Sequence, residues 1–273
     1  MKIEASLVEK KRDTDIVKKK TCRKTKRPPV LRMPMALQKL FVACQDVFKG
    51  PGTVPPPRDV QKLSHILDSM QPGDVGLSRN LPFFKPKNVV QGTPRVNYTT
   101  IYQCENFSLC IFFLPPTAVL PLHNHPEMTV FSKLLLGSMH IKAYDWVGPV
   151  KSDDSMLSSQ WKLARLKADR VFTAPCNTSV LYPTSGGNIH AFTAITPCAF
   201  LDVIGPPYSK ADGRDCTYYR DLPYSAFSDG ASRMGKEDDC YGWLEEIEMP
   251  KDLKMDGVEY WGPPIIETRR AFR

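Results

Sequence analysis

The chain has 273 residues, of which 42% are hydrophobic and 24% are charged, and its formal net charge is +8. These values are ordinary for a globular protein, and no run of 18 apolar residues marks a membrane span. The surplus charge is confined to the start of the chain, since residues 1–32 hold 12 Lys+Arg against 4 Asp+Glu and the remainder is balanced. The remainder therefore gives no charge-based indication of nucleic-acid binding.

Residues 1–34 form a basic head that we expect to be a solvated, disordered tail. Residues 18–29, KKKTCRKTKRPP, contain almost no apolar side chains. A nuclear-import signal is the main alternative, with DNA binding a weaker one, and we expect no direct nucleic-acid contact. The eight cysteines form no CxxC pair and no secretory segment follows Met1. We therefore expect reduced thiols in the nucleus and cytoplasm.

Two helices are predicted at the start of a single folded domain spanning residues 35–273. The first lies within residues 35–52 and stops at Gly50; it places six apolar residues at helical spacing, namely Leu37, Leu40, Phe41, Cys44, Val47 and Phe48. The second lies within residues 58–74, with an apolar stripe of Val60, Leu63, Leu67 and Met70. His65 falls off this stripe and is expected to face solvent.

From about Asn88 the pattern changes to short apolar strands bounded by Pro, Gly, Asn, Asp or Ser. We predict strands within residues 99–103, 107–114, 128–147, 170–174, 179–183, 189–195 and 198–205. The 25 prolines are about twice the usual ~5%, which favours many short strands. The prediction is a mainly β jelly roll whose two sheets close over a pocket, with further strands or a wrapping segment after about Asp229.

Three histidines are candidate metal ligands: His123 and His125 in LPLHNHPEMTVFSK, and His190 in PTSGGNIHAF. On a strand, residues i and i+2 point to the same face, so both imidazoles of the pair can reach one ion. The Pro/Gly turn before His190 delivers it onto a later strand that must return to the pair. Imidazole suits iron, zinc, copper and nickel, and three neutral ligands leave coordination positions open.

Together, HxH and GGxxH resemble the two motifs of the cupin family. Many cupins add a glutamate ligand four or five residues after the second histidine, where this chain has Thr129 and Val130. Glu127 is too close to His125 to reach the ion unless the loop bends back. A three-histidine site without a carboxylate resembles the thiol dioxygenases, in which the substrate thiolate supplies the missing negative charge.

Longer stretches across residues 35–265 resemble the plant cysteine oxidases, relatives of the animal cysteamine dioxygenase: LPLHNHPEMTVFSKLLLGSMHIKAYDW, PTSGGNIHAF, AFLDVIGPPY and DCTYY. The resemblance implies a cupin double-stranded β-helix with short N-terminal helices. It also implies a monomeric dioxygenase that holds Fe(II) with His123, His125 and His190 and adds both atoms of O2 to the sulfur of an N-terminal cysteine, giving a sulfinic acid.

The implied partners are O2 and proteins with an N-terminal cysteine, such as hypoxia-responsive transcription factors. The implied role is oxygen sensing upstream of the arginine N-degron pathway. Two alternatives stay open: dioxygenation of a small aminothiol, cysteamine or free cysteine, and a non-catalytic metal-binding cupin module. The residues by themselves indicate an open tris-histidine metal site.

Asp202 is a further candidate, because it is a carboxylate in the apolar strand CAFLDVIG on the same face as Phe200 and Ile204. A buried, unpaired charge is costly, so we predict that it holds the substrate amine or hydrogen-bonds a ligand imidazole. The alternative is a structural carboxylate bonded to backbone amides.

Three more residues are candidates by resemblance. Tyr208 lines the pocket in the related proteins, although a rim tyrosine with a solvated hydroxyl explains it nearly as well. Cys216 and Tyr218 match a Cys-x-Tyr pair that can form a thioether crosslink in the animal relative; two unlinked core residues are the alternative. His140 rivals the ligands, but no glycine turn aims it, and we predict a hydrogen-bonded structural histidine.

Overall fold

The computed structural model describes residues 35–84, 94–148, 160–227 and 240–267. The basic head lies outside the described residues, so its predicted role stays a prediction. Within these ranges the helices are α1 (Met35–Val47) and α2 (Pro57–Ser69). The strands are β1 (Val96–Gln103), β2 (Ser108–Leu114), β3 (Val119–His123), β4 (Thr129–Leu136), β5 (Ser138–Trp146), β6 (Trp161–Thr173), β7 (Ser179–Leu181), β8 (Ile189–Ala194), β9 (Cys198–Gly205), β10 (Tyr218–Pro223), β11 (Tyr241–Ile247) and β12 (Met255–Gly257).

The two predicted helices are confirmed, and they pack with one face of the first sheet. All six apolar residues predicted for α1 are buried, and in α2 Leu63 and Leu67 are buried while His65 is exposed as expected. They share one core cluster with Leu109 of β2 and Leu201 of β9. Each fully buried leucine or phenylalanine stabilises the fold by roughly 1.5–3 kcal/mol, so this cluster fixes the helices on the sheet.

The strands form two sheets, and the site lies between them. The first has the order β12-β1-β2-β9-β4-β7 and is antiparallel except for the β12–β1 pair. The second has the order β10-β11-β6-β5-β8-β3 and closes on itself, because Tyr218 of β10 pairs with His123 of β3. A second core cluster joins Phe200 of the first sheet to Ile141 and Phe192 of the second. This is the predicted mainly β jelly roll with short N-terminal helices.

Some strand boundaries differ from the prediction. The run 128–147 is two strands, β4 and β5, separated at Gly137, whose φ is +83° and whose added Cβ would strike the Pro197 carbonyl. The predicted strand 170–174 is the end of the 13-residue β6. The predicted C-terminal strands are present as β11 and β12. Among the described helices, none is long and apolar enough to cross a bilayer.

Candidate metal centre

The three predicted histidines come together. Their ligand atoms lie within 4.8 Å of one another, and the three ring centroids are 4.8–5.0 Å apart. His123 ends β3 and pairs directly with His190 of β8. The expectation that both histidines of the HxH pair lie on one strand is wrong, since β3 ends at His123 and His125 lies in the following loop. The loop still returns His125 to the site.

Two of the imidazoles are oriented by backbone carbonyls. The Nδ1 atom of His123 lies 2.8 Å from the carbonyl oxygen of Pro121, and that of His190 lies 3.3 Å from the carbonyl oxygen of Gly187. A carbonyl only accepts, so each Nδ1 carries the proton. The Nε2 atom of each ring therefore keeps its lone pair, as a metal ligand requires.

Tyr208 orients the third imidazole. Its hydroxyl donates to the carbonyl oxygen of Asn124 at 2.8 Å, so it must accept from Nδ1 of His125, 2.9 Å away. The Nε2 atom of His125 is thus unprotonated and lies 3.4 Å from Nε2 of His190. Two nitrogens each ~2.1 Å from a shared ion at a tetrahedral angle would be about 3.4 Å apart. The pair already has the spacing of metal ligands.

Burial keeps all three imidazoles neutral. It lowers the pKa of His123, and it lowers the pKa of His125 well below the usual value with help from the neighbouring imidazoles. Burial and the nearby His123 lower the pKa of His190 to about 3. Because metals bind the neutral form, the site can accept an ion at pH 7 without losing protons.

A hydrogen-bonded turn connects the ligands His125 and His190, and it was not predicted from the sequence. The carboxylate of Asp145 accepts from the backbone amides of Gly186, Gly187 and Asn188 at 2.8–3.0 Å. The Asn188 side chain accepts from the His125 amide at 3.2 Å and donates to the His125 carbonyl at 2.8 Å. Asp145 thus holds the turn before His190, and Asn188 ties that turn to the loop of His125.

A cavity of about 310 Å³, here called the inner cavity, lies against two of the histidines, His123 and His125. The four other predicted site residues line it: Asp202, Tyr208, Cys216 and Tyr218. A second cavity of about 580 Å³ borders His190. Among the described residues, Phe192 is the one side chain that lines both cavities, and it is buried.

Asp202 is buried on the inner face of β9, opposite Ser132 of β4 and Cys110 of β2. Ser132 hydrogen-bonds the carboxyl group, but Oδ1 has no hydrogen-bond partner among the described residues. Burial raises the pKa of Asp202 to about 7 in spite of the serine. Neither the predicted imidazole bond nor the alternative of backbone amides is observed, so the role in binding an amine stays a prediction.

Tyr208, Cys216 and Tyr218 meet at one wall of the inner cavity. Tyr208 is neither a solvated rim residue nor only a lining residue, since its hydroxyl bonds His125; burial raises its pKa well above the usual range. Cys216 lies just before β10, which begins at Tyr218. Its thiol still interacts with both tyrosine hydroxyls, and burial raises its pKa to about 11. The thioether crosslink stays a prediction.

The rival histidine and the nearby acid both lie outside the ligand group. His140 bonds Asp169 through Nε2 at 2.7 Å, in agreement with its predicted structural role. Glu127 is exposed, with φ of +58°, and does not join the three histidines. Thr129 and Val130 lie in β4. Among the described residues the group is therefore three histidines without a carboxylate.

Two sheets closing over three neutral imidazoles, two of them buried and that of His123 half-buried, define a cupin-type metal site. The PCO_ADO family model matches residues 66–265. Plant cysteine oxidase 2 of Arabidopsis thaliana is 52% identical over 235 residues, covering 85% of this chain and 83% of that protein. Plant cysteine oxidase 1 of the same plant is 48% identical, covering 84% and 80%.

The 2-aminoethanethiol dioxygenase of Mus musculus is 30% identical over 77% of this chain and 86% of that protein. A solved cupin protein from Desulfovibrio desulfuricans covers 45% of this chain and 97% of its own at 21% identity and a TM-score of 0.28, a likeness too slight to bear on function. The chain belongs to the PCO_ADO family, and it is a thiol dioxygenase.

Proposed function

We propose that this chain is an Fe(II)-dependent dioxygenase that oxidises the N-terminal cysteine of protein substrates to cysteine sulfinic acid. The observation that carries the proposal is the buried Asp202 carboxyl, whose Oδ1 has no hydrogen-bond partner among the described residues, in the same cavity as His123 and His125. Three neutral imidazoles bring no negative charge to a cation, which favours a thiolate as a further ligand. A buried carboxylate favours an ammonium partner. A substrate with a thiol and an α-amine provides both the thiolate ligand and the ammonium partner.

Iron is the proposed metal, and the donor set fits it. When bound, Fe(II) would supply the redox centre at which the thiol and O2 react. The chain's own residues hold the imidazoles neutral and oriented: Tyr208 fixes His125, and the turn held by Asp145 fixes His190. Both oxygen atoms of O2 go to the sulfur and all four electrons come from it, so the reaction needs no further reductant.

The names of the relatives support the proposed substrate. The relatives at 52% and 48% identity are named cysteine oxidases, whereas the one at 30% is named for 2-aminoethanethiol. This supports cysteine. A small aminothiol, cysteamine or free cysteine, is the alternative substrate, and a non-catalytic metal-binding module is the alternative of another class.

A competition assay tests the substrate. The iron-loaded protein is given equal concentrations of a Cys-initiated peptide and cysteamine in air, and both sulfinic acid products are followed by mass spectrometry. We expect the peptide product to form at a kcat/KM at least tenfold higher. Faster oxidation of cysteamine would establish the alternative substrate, and the absence of both products from protein with bound iron would favour the non-catalytic module.

We also propose a role in oxygen sensing, with the chain acting as a monomer in nucleus and cytoplasm. Low O2 would leave the N-terminal cysteine unoxidised and keep the substrate protein out of the arginine N-degron pathway. Residues 1–34 are proposed to be a solvated basic tail, with a nuclear-import signal as the main alternative, on their charge alone. Deleting them should retain oxidase activity, and a changed localisation would support the import signal. Loss of DNA affinity, with no activity in either form, would support a DNA-binding module instead.

A further inference from the structure

A larger space of about 770 Å³, here called the outer groove, adjoins the inner cavity. Three loops form the groove: residues 49–51 after α1, residues 103–106 between β1 and β2, and residues 207–214 after β9. Gln103, Pro207 and Tyr208 line both spaces, so the two adjoin. Tyr208, whose hydroxyl bonds His125, connects the lining of the groove to the metal centre.

We propose that the outer groove binds the polypeptide backbone of the residues that follow the N-terminal cysteine. This inference rests on the proposed function. At ~30 Å³ for each water, the inner cavity has the volume of about ten waters. It can hold the N-terminal cysteine and a small part of the chain that follows, so a longer polypeptide must leave it. Among the described residues, the cavity beside His190 shares one lining residue with the inner cavity, the buried Phe192, whereas the outer groove shares three, so we assign the path of the chain to the outer groove.

Arg214 supplies hydrogen-bond donors to the groove. Its side chain is 6% exposed, and the residue lines the groove. Of its five N–H donors, Nε donates to the Pro207 carbonyl at 3.4 Å and Nη2 donates to Asp212 at 3.0 Å. Within the described residues these are its hydrogen bonds, which leaves three donors for a ligand. Backbone carbonyl oxygens are suitable acceptors.

The charges in the groove favour a neutral ligand. Asp212 pairs with Arg214, and Lys49 and Glu105 add one charge of each sign, so the lining is neutral. The Asn106 side chain, which is exposed, adds an amide that both donates and accepts. This lining matches peptide groups and offers no selection for a charged side chain. We therefore expect recognition of chain length and not of side-chain charge.

The test compares cysteine amide with a Cys-Ala-Ala-Ala-Ala amide on the iron-loaded protein, by steady-state kinetics in air and by anaerobic titration calorimetry. We expect kcat/KM for the pentapeptide to exceed that for cysteine amide at least tenfold, mainly through KM. Lysine or glutamate at the second peptide position should change KM less than threefold.

Arg214→Gln should reduce the ratio of peptide to cysteine amide kcat/KM about tenfold, which corresponds to one lost charge-assisted hydrogen bond. Asn106→Ala, at an exposed position, should reduce it severalfold without the risk of misfolding. Arg220→Gln is the matched control, since Arg220 pairs with Glu245 and lines neither the inner cavity nor the outer groove, and it should keep the wild-type ratio.

The outcomes separate the two proposals. Equal kcat/KM for both substrates, with anaerobic affinities unaltered in Arg214→Gln and Asn106→Ala, would overturn the proposal that the outer groove binds the peptide backbone. That result would leave the proposed function unaffected. Tight, length-dependent binding that both variants weaken, without oxidation of any thiol, would support the groove and overturn the proposed function.

Discussion

Replacing Asp202 by asparagine should stabilise the protein at high pH while impairing its function. Burial raises the pKa of this carboxyl from 3.8 to about 7, so the folded protein keeps a proton that the unfolded chain releases between about pH 4 and 7. Stability from this group is therefore greatest below pH 4 and falls as the pH rises through 7. The isosteric amide has no proton to lose.

The expected magnitude follows from these two pKa values. At ~1.4 kcal/mol for each unit of pKa, the carboxyl costs the folded state roughly 2 kcal/mol at pH 5 and roughly 4 kcal/mol at pH 8. The stability of Asp202→Asn relative to wild type should thus increase by about 2 to 3 kcal/mol between pH 5 and pH 8. The histidines titrate in both proteins, so their contributions cancel in the difference.

The assay is urea unfolding of metal-free wild type and Asp202→Asn at both pH values, with Asp252→Asn as an exposed control. The difference in free energy of unfolding between Asp252→Asn and wild type should be the same at both pH values. In a parallel assay of the iron-loaded proteins, Asp202→Asn should lower kcat/KM for a Cys-initiated peptide at least tenfold. A difference between Asp202→Asn and wild type that does not grow with pH would refute the assignment of a buried, unpaired carboxyl.

Two further substitutions test the packing and the positioning of the ligands. An added Cβ at Gly205 would collide with the Phe48 ring, so Gly205→Ala should lower the free energy of unfolding by about 1–3 kcal/mol. The control Gly73→Ala, whose added Cβ meets open space, should change it by less than ~0.5 kcal/mol. Equal melting temperatures of the two variants in thermal unfolding would contradict this packing. Asp145→Asn should weaken metal affinity about 10–100-fold, measured in competition with a chelator, because the carboxylate holds the turn before His190. Asp169→Asn, at an exposed position, should leave the affinity unchanged. Unchanged affinity in Asp145→Asn would mean that the turn keeps its conformation without the carboxylate.

The parts of the fold and site that follow from local patterns could be predicted from the sequence. Helical spacing identified the buried face of α1, and a carboxylate within CAFLDVIG identified Asp202 as buried, because the apolar neighbours on both sides leave no solvent-facing position. The three histidines were found by their spacing and by the glycine turn that delivers His190.

The parts that depend on distant contacts could not be predicted. The parallel β12–β1 pair and the closure of the second sheet at His123 and Tyr218 join segments far apart in the chain. Asn188 resembles an ordinary turn residue until the loop of His125 lies against it. The role of Asp145 could not be predicted, because its backbone partners lie about 40 residues away in the chain.

Isotope labelling of the reaction product tests the central claim most directly. Wild-type protein reconstituted anaerobically with Fe(II) is exposed to ¹⁸O2 with a short Cys-initiated peptide, beside His190→Ala and the structural control His140→Ala. We predict a product carrying two ¹⁸O atoms from wild type and His140→Ala, and none from His190→Ala. Unmodified peptide from iron-loaded wild type, or equal product from His190→Ala, would contradict a three-histidine thiol dioxygenase site.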